Sequence, residues 1–121
     1  MFKALKNIPR RAKMATYYSL CGIGSSFKKE EAIKLETVTL VVLVIVLFFV
    51  PWPLWKKLAM TASYLLIPLV ELINSSIEDI CDLVTTEYNE KVKDSKDKGS
   101  AAVLVAMIIN IVVLVALWKA P

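Results

Sequence analysis

Apolar residues along this chain gather into three blocks, VTLVVLVIVLFFVPWPLW (38–55), LAMTASYLLIPLV (58–70) and AAVLVAMIINIVVLVALW (101–118), with polar segments before and between them. At a rise of about 1.5 Å per residue, some 20 apolar residues cross a hydrocarbon core of about 30 Å. The pattern therefore predicts three membrane helices, at about 36–52, 57–86 and 93–118. The first ends in Pro51, Trp52, Pro53 and Trp55, which suit a tight turn and an aromatic belt at the interface. Lys56 and Lys57 follow, and the second helix turns polar in its second half, so it is expected to leave the bilayer. The segment from Tyr88 to Gly99 reads as a polar loop into the third span, which stops at Lys119.

Before the first span, Leu5, Ile8, Ala12, Ala15 and Leu20 recur at helical intervals among Lys6, Arg10, Arg11 and Lys13. Residues 1–34 are accordingly expected to form an amphipathic helix on the membrane surface, broken near Gly22 and Gly24. The fold class is an all-α membrane protein of one domain, 1–121, with an interfacial helix and three transmembrane helices.

One feature of the second span is not explained by crossing a membrane. At about 100° per residue, Glu71, Asn74, Glu78 and Asp82 fall within about 80° of one another and make a single polar stripe. Ionisable groups at bilayer depth are costly and mark functional sites. If the helix enters the outer interface near Lys57, Glu71 lies about 21 Å inward, and Glu78 about 10 Å further, near the inner interface. A lipid hydroxyl below the headgroups would meet Glu71, and a water-soluble donor would meet Glu78 and Asp82.

The net charge of +4 would suggest nucleic acid in a soluble protein, but 57% hydrophobic residues exclude that class, and no nucleic-acid partner is expected. The basic residues crowd before the first span: Lys3, Lys6, Arg10, Arg11, Lys13, Lys28, Lys29 and Lys34, against Lys56 and Lys57 in the outer turn. This asymmetry places the amino terminus in the cytoplasm and the carboxyl terminus outside. Cys21 and Cys81 have no metal-ligand spacing and read as free thiols. The first 34 residues contain no continuous apolar core of the kind a cleavable signal needs.

Glycine occurs only at 22, 24 and 99, so neither a P-loop nor a kinase glycine loop can be built, and the absence of histidine removes histidine triads and zinc-protease motifs. Carboxylates, lysines and amides remain, the groups that suit Mg²⁺ and phosphate. Lys96 and Asp97, followed by Gly99 and Ser100, fall near the polar end of the stripe. The run Glu90, Lys91, Lys93, Asp94 and Lys98 reads as a solvated face, and Asn110 as a hydrogen-bonding contact between helices.

These residues resemble the prokaryotic diacylglycerol kinase family. The resemblance lies in E-[LIV]-[LIV]-N-[ST]-[AS]-I-E-x-x-x-D, here ELINSSIEDICD (71–82), in Glu87-Tyr88, in SKDKGSAAVL (95–104), and in YSLCGIGSSFKKEEAIKLE (18–36). It covers nearly the whole chain. It implies a homotrimer with shared active sites in the bacterial inner membrane, and transfer of the γ-phosphoryl group of MgATP to the hydroxyl of a membrane lipid, diacylglycerol, giving phosphatidic acid. By position, the resemblance makes Glu71 the catalytic base and Glu30 and Glu78 the metal-binding carboxylates. It places Arg11, Tyr18, Glu30, Glu78, Glu87, Tyr88, Asn89, Lys96 and Asp97 at the nucleotide, and Asn74, Asp82, Glu36 and Ser100 on the substrate side of the stripe. Asn89 is a departure, because related kinases often carry histidine there. Undecaprenol kinase, a relative with the same chemistry and a polyprenol acceptor, is an alternative, although GSAAVL and EEAIKLE look more like the diacylglycerol branch. A small helical transporter or channel subunit is the remaining alternative for carboxylates in a bundle.

Overall fold

A computed structural model describes residues 8–121. Among them are five helices and no strand: α1 (Ile8–Lys29), α2 (Glu31–Phe49), α3 (Leu54–Tyr64), α4 (Leu66–Val84) and α5 (Glu90–Lys119). The chain divides into two units, one ending at Glu31 and one running from Ala32 to Pro121.

In the first unit, α1 runs unbroken through Gly22 and Gly24. Both glycines have negative φ and open space where a Cβ would stand, so the break expected there does not occur. The helix yields at Glu30 instead, whose N–H donates to the Ser26 carbonyl at 2.9 Å. Charge explains the boundary. Lys28 and Lys29 occupy the last turn of α1 and Glu31 the first turn of α2, where each sign opposes the partial charge of the helix end. Tyr17, Tyr18, Leu20 and Ile23 are all exposed on α1. The expected contributions of Lys3, Leu5 and Lys6 lie outside the described residues.

Three stretches are long and apolar enough to cross a membrane: Glu31–Phe49, Leu54–Val84 and Glu90–Lys119. The second is not the uninterrupted helix expected over 57–86. It gives way for one residue at Leu65, between α3 and α4. Pro68 has no N–H to offer the Tyr64 carbonyl, and its ring crowds that same carbonyl, so the ladder must open one turn before it. Leu65 remains in the right-handed helical region, so the two halves act as one interrupted span. The loop expected from Tyr88 to Gly99 is also shorter, since α5 begins at Glu90. The Asn89 side-chain oxygen accepts from the N–H groups of Lys91 (3.0 Å) and Val92 (3.3 Å), an N-cap that starts the helix early.

Four contacts fix the register of the second unit. Asp82 meets Lys96, Asn74 lies against Gly99, Ser63 meets Asn110, and Lys56 reaches Ala120. Numbers fall on one side as they rise on the other, so α5 runs antiparallel along the whole of α4 and α3. Between these pairs, Leu47, Met60 and Leu117 form one apolar cluster, and Tyr64, Ile67 and Ala106 another, with Leu43 of α2 touching both. Asn110 Nδ2 donates to Ser63 Oγ at 2.9 Å, the interhelical role read from the sequence. Such bonds contribute about 0.6 kcal/mol each in membrane bundles, and between all-apolar faces they select register.

The turn end is held by cations. Lys56 is only 5% exposed, and its ammonium donates to the Ala120 carbonyl at 2.7 Å, while Lys57 donates to the Phe48 carbonyl at 3.3 Å. Each closes an orphan carbonyl at a helix end. Trp52 and Trp118 pack edge to face beside them, with centroids 6.1 Å apart.

Candidate active site

The stripe on α4 is most buried at Asn74 and exposed at its polar end. Glu71 is half-buried, Asn74 is 7% exposed, and Glu78 and Asp82 are exposed. Helical periodicity puts all four on one face, which α5 meets at Asn74 and at Asp82. Asn74 Nδ2 donates to Glu78 Oε1 at 3.2 Å, one turn further along the same helix. Lys96 donates to Asp82 Oδ1 at 2.6 Å, tying α5 to the polar end of the stripe. An ammonium held there carries positive charge to the carboxylate face and leaves its other N–H donors for an incoming anion.

Lys96 and Asp97 are neighbours in sequence but diverge by about 100° on the helix. Lys96 turns to α4. Asp97 accepts from Lys93 at 2.6 Å and lines an open concavity of about 550 Å³ with Tyr88, Glu90, Lys91, Lys93 and Asp94. The structure thus gathers two expected nucleotide residues, Tyr88 and Asp97, on one surface. Glu87 is exposed, with its N–H on Thr85 Oγ1 at 3.1 Å. Asn89 lies beside them with its oxygen committed to the helix cap, so only its amide nitrogen is available for a further contact. The mixed-charge run is exposed, as expected, and laced by i,i+4 ion pairs.

Glu36 is buried on α2, and its backbone carbonyl accepts from Tyr64 OH at 3.0 Å. Ser100 is exposed on α5. Arg11 and Tyr18 are exposed on α1, and Glu30 closes that helix in the first unit. Cys21 is exposed and Cys81 buried, both as free thiols. Two residues that sequence reasoning left without a role acquire one here. Lys56 is a buried link between chain segments, and Gly99 is the point of closest approach to Asn74. A lone glycine inside a helical pattern was the available signal for the second.

Among the described residues no group of three His, Cys, Asp or Glu side chains gathers. The stripe does present hard oxygen donors, and Glu78 is an exposed carboxylate oriented by a neighbouring amide. That donor set fits Mg²⁺, which accepts one or two carboxylates and fills its remaining positions with phosphate oxygens and water.

Fold and site together define a small multi-span helical membrane protein with carboxylate, amide and lysine chemistry at one end of its bundle. Residues 17–118 match the family described as prokaryotic diacylglycerol kinase. The diacylglycerol kinase of Pseudomonas aeruginosa is 38% identical over 100 residues, 83% of this chain and 81% of that protein. That of Haemophilus influenzae is 37% identical over 95 residues, 78% and 80% of the two chains. That of Escherichia coli K12 is 31% identical over 106 residues, 87% of each. The chain belongs to the prokaryotic diacylglycerol kinase family and is a lipid kinase of that family.

Proposed function

We propose that this protein transfers the γ-phosphoryl group of ATP to the hydroxyl of diacylglycerol, yielding phosphatidic acid and ADP, as a homotrimer in the bacterial inner membrane with its amino terminus in the cytoplasm. The observation that carries this reading is the single α4 face that holds Glu71, Asn74, Glu78 and Asp82, with Lys96 of α5 paired to Asp82 at its polar end. On this reading Glu71 lies at lipid depth, and Glu78 and Asp82 lie at the aqueous end of the same helix face.

In this reading the acceptor hydroxyl approaches Glu71, which takes its proton as the oxygen attacks the γ-phosphorus. The bond from that phosphorus to the β–γ bridging oxygen breaks, and ADP leaves. Glu78 and Glu30 would supply the carboxylates for Mg²⁺, which when bound would neutralise phosphate charge. Lys96, positioned by Asp82, adds a point cation to the phosphates. Arg11, Tyr18, Glu87, Tyr88, Asn89 and Asp97 serve the nucleotide, and Glu36, Asn74 and Ser100 line the substrate side.

Purified protein in detergent, given γ-labelled ATP and a panel of lipids, is expected to label phosphatidic acid at the highest rate. Faster labelling of undecaprenyl phosphate would move the chain to the polyprenol branch, and consumption of ATP without lipid labelling would overturn the kinase reading.

Orientation has its own test. In a Cys21→Ser background, which removes the exposed native thiol, a membrane-impermeant maleimide should label Lys119→Cys on intact cells and Lys93→Cys only after lysis. The opposite pattern would reverse the charge-based topology.

A further inference from the structure

Gly99 is unlike the other two glycines. At Gly22 and Gly24 a Cβ would meet nothing within 4 Å, whereas at Gly99 it would overlap Asn74 Oδ1 and come within 3.2 Å of Asn74 Cγ. Gly99 is buried, and so is Asn74. The two ends of the Asn74 amide have different surroundings. Oδ1 is buried with no hydrogen-bond partner among the described residues, while Nδ2 donates to Glu78 Oε1 at 3.2 Å. The direction a Cβ would take is that of an α-hydrogen of Gly99, so Oδ1 rests against a weak C–H donor of the kind that recurs where helices approach closely.

We propose that Gly99 is a positioning residue for Glu78, acting through Asn74. The missing side chain on α5 leaves room for the amide oxygen, and with the oxygen seated there the NH₂ group faces the Glu78 carboxylate. A methyl group at position 99 displaces the amide and removes the donor from Glu78. This inference rests on the reading that Glu78 is a metal carboxylate, and it adds a residue from the facing helix to that site. Groups that orient a metal ligand typically change metal affinity by about 10- to 100-fold when lost.

The test measures Mn²⁺ binding to the full-length protein in detergent by electron paramagnetic resonance, with a non-hydrolysable ATP analogue present. Gly99→Ala and Asn74→Ala are each expected to weaken Mn²⁺ binding about tenfold. The double variant should be no weaker than Asn74→Ala alone, because the methyl group has nothing left to displace. If Gly99→Ala does not accumulate in the membrane but the double variant does, the steric contact is upheld and Asn74→Ala carries the metal readout. Wild-type binding by Gly99→Ala, or losses that multiply in the double variant, overturns the inference. Glu78→Gln separates the two levels. If it binds Mn²⁺ like wild type, the metal assignment of Glu78 is wrong, whereas lost binding there with intact binding in Gly99→Ala removes only the role of Gly99.

Discussion

Glu71→Gln is expected to slow phosphoryl transfer by about 10² to 10⁴ while leaving nucleotide affinity nearly unchanged. The substitution keeps shape and hydrogen bonding but cannot accept the acceptor hydroxyl's proton. Nucleotide affinity is spared because Glu71 and Glu78 are seven residues apart, about 10 Å along the helix axis. The neighbouring turn supplies a control for depth. Ser75 is half-buried on the same helix, one turn nearer Glu78. Combining Glu71→Gln with Ser75→Glu therefore returns a carboxylate about 6 Å closer to the aqueous end, and the rate should stay low. Pre-steady-state transfer of label, with ATP affinity measured separately, checks both parts. Retained turnover with weakened ATP binding would make Glu71 a nucleotide contact and end the depth argument.

The second large effect is expected at Glu78. On the proposed metal role, Glu78→Gln should abolish kinase activity by removing a carboxylate while the fold survives, since a neutral isostere costs no more to hold in place than the charged group. The structure sharpens this. Asn74 Nδ2 donates to Glu78 Oε1, and a glutamine carbonyl oxygen can accept the same bond, so α4 keeps its side-chain network while the charge disappears. Loss of activity with an unchanged elution volume and thermal midpoint would be an effect of charge alone. Kinase and ATPase rates near wild type at saturating Mg²⁺ would sink the metal assignment.

How far the site was legible follows from where its information lies. The stripe from Glu71 to Asp82 belongs to one helix, so periodicity alone places its members on one face. The exposed mixed-charge run and the Asn110 contact were legible for the same reason, polarity against an apolar background. The break in α1 was misplaced because glycine marks where a helix can bend, whereas opposite helix-end charges at Lys28, Lys29 and Glu31 mark where one helix stops and the next starts. Pro68 was visible, but its consequence at Leu65 depends on the carbonyl one turn earlier. The Asn89 oxygen caps a helix, a role that local pattern alone does not announce and that brings α5 forward to Glu90.

Three spans, the turn at 51–53, the stripe on α4 and the family are all legible in the chain alone. Hydrophobic length, helical period and local motif are properties of neighbouring residues. Helix packing sets the rest: Lys96 turns to Asp82 while Asp97 lines a concavity with Tyr88, Lys56 is buried on the Ala120 carbonyl, and Gly99 makes room for the Asn74 amide. These contacts depend on the register between helices. Faces that are apolar all round specify register weakly, so it rests on a few polar pairs and one missing side chain whose partners lie 14 to 64 residues away.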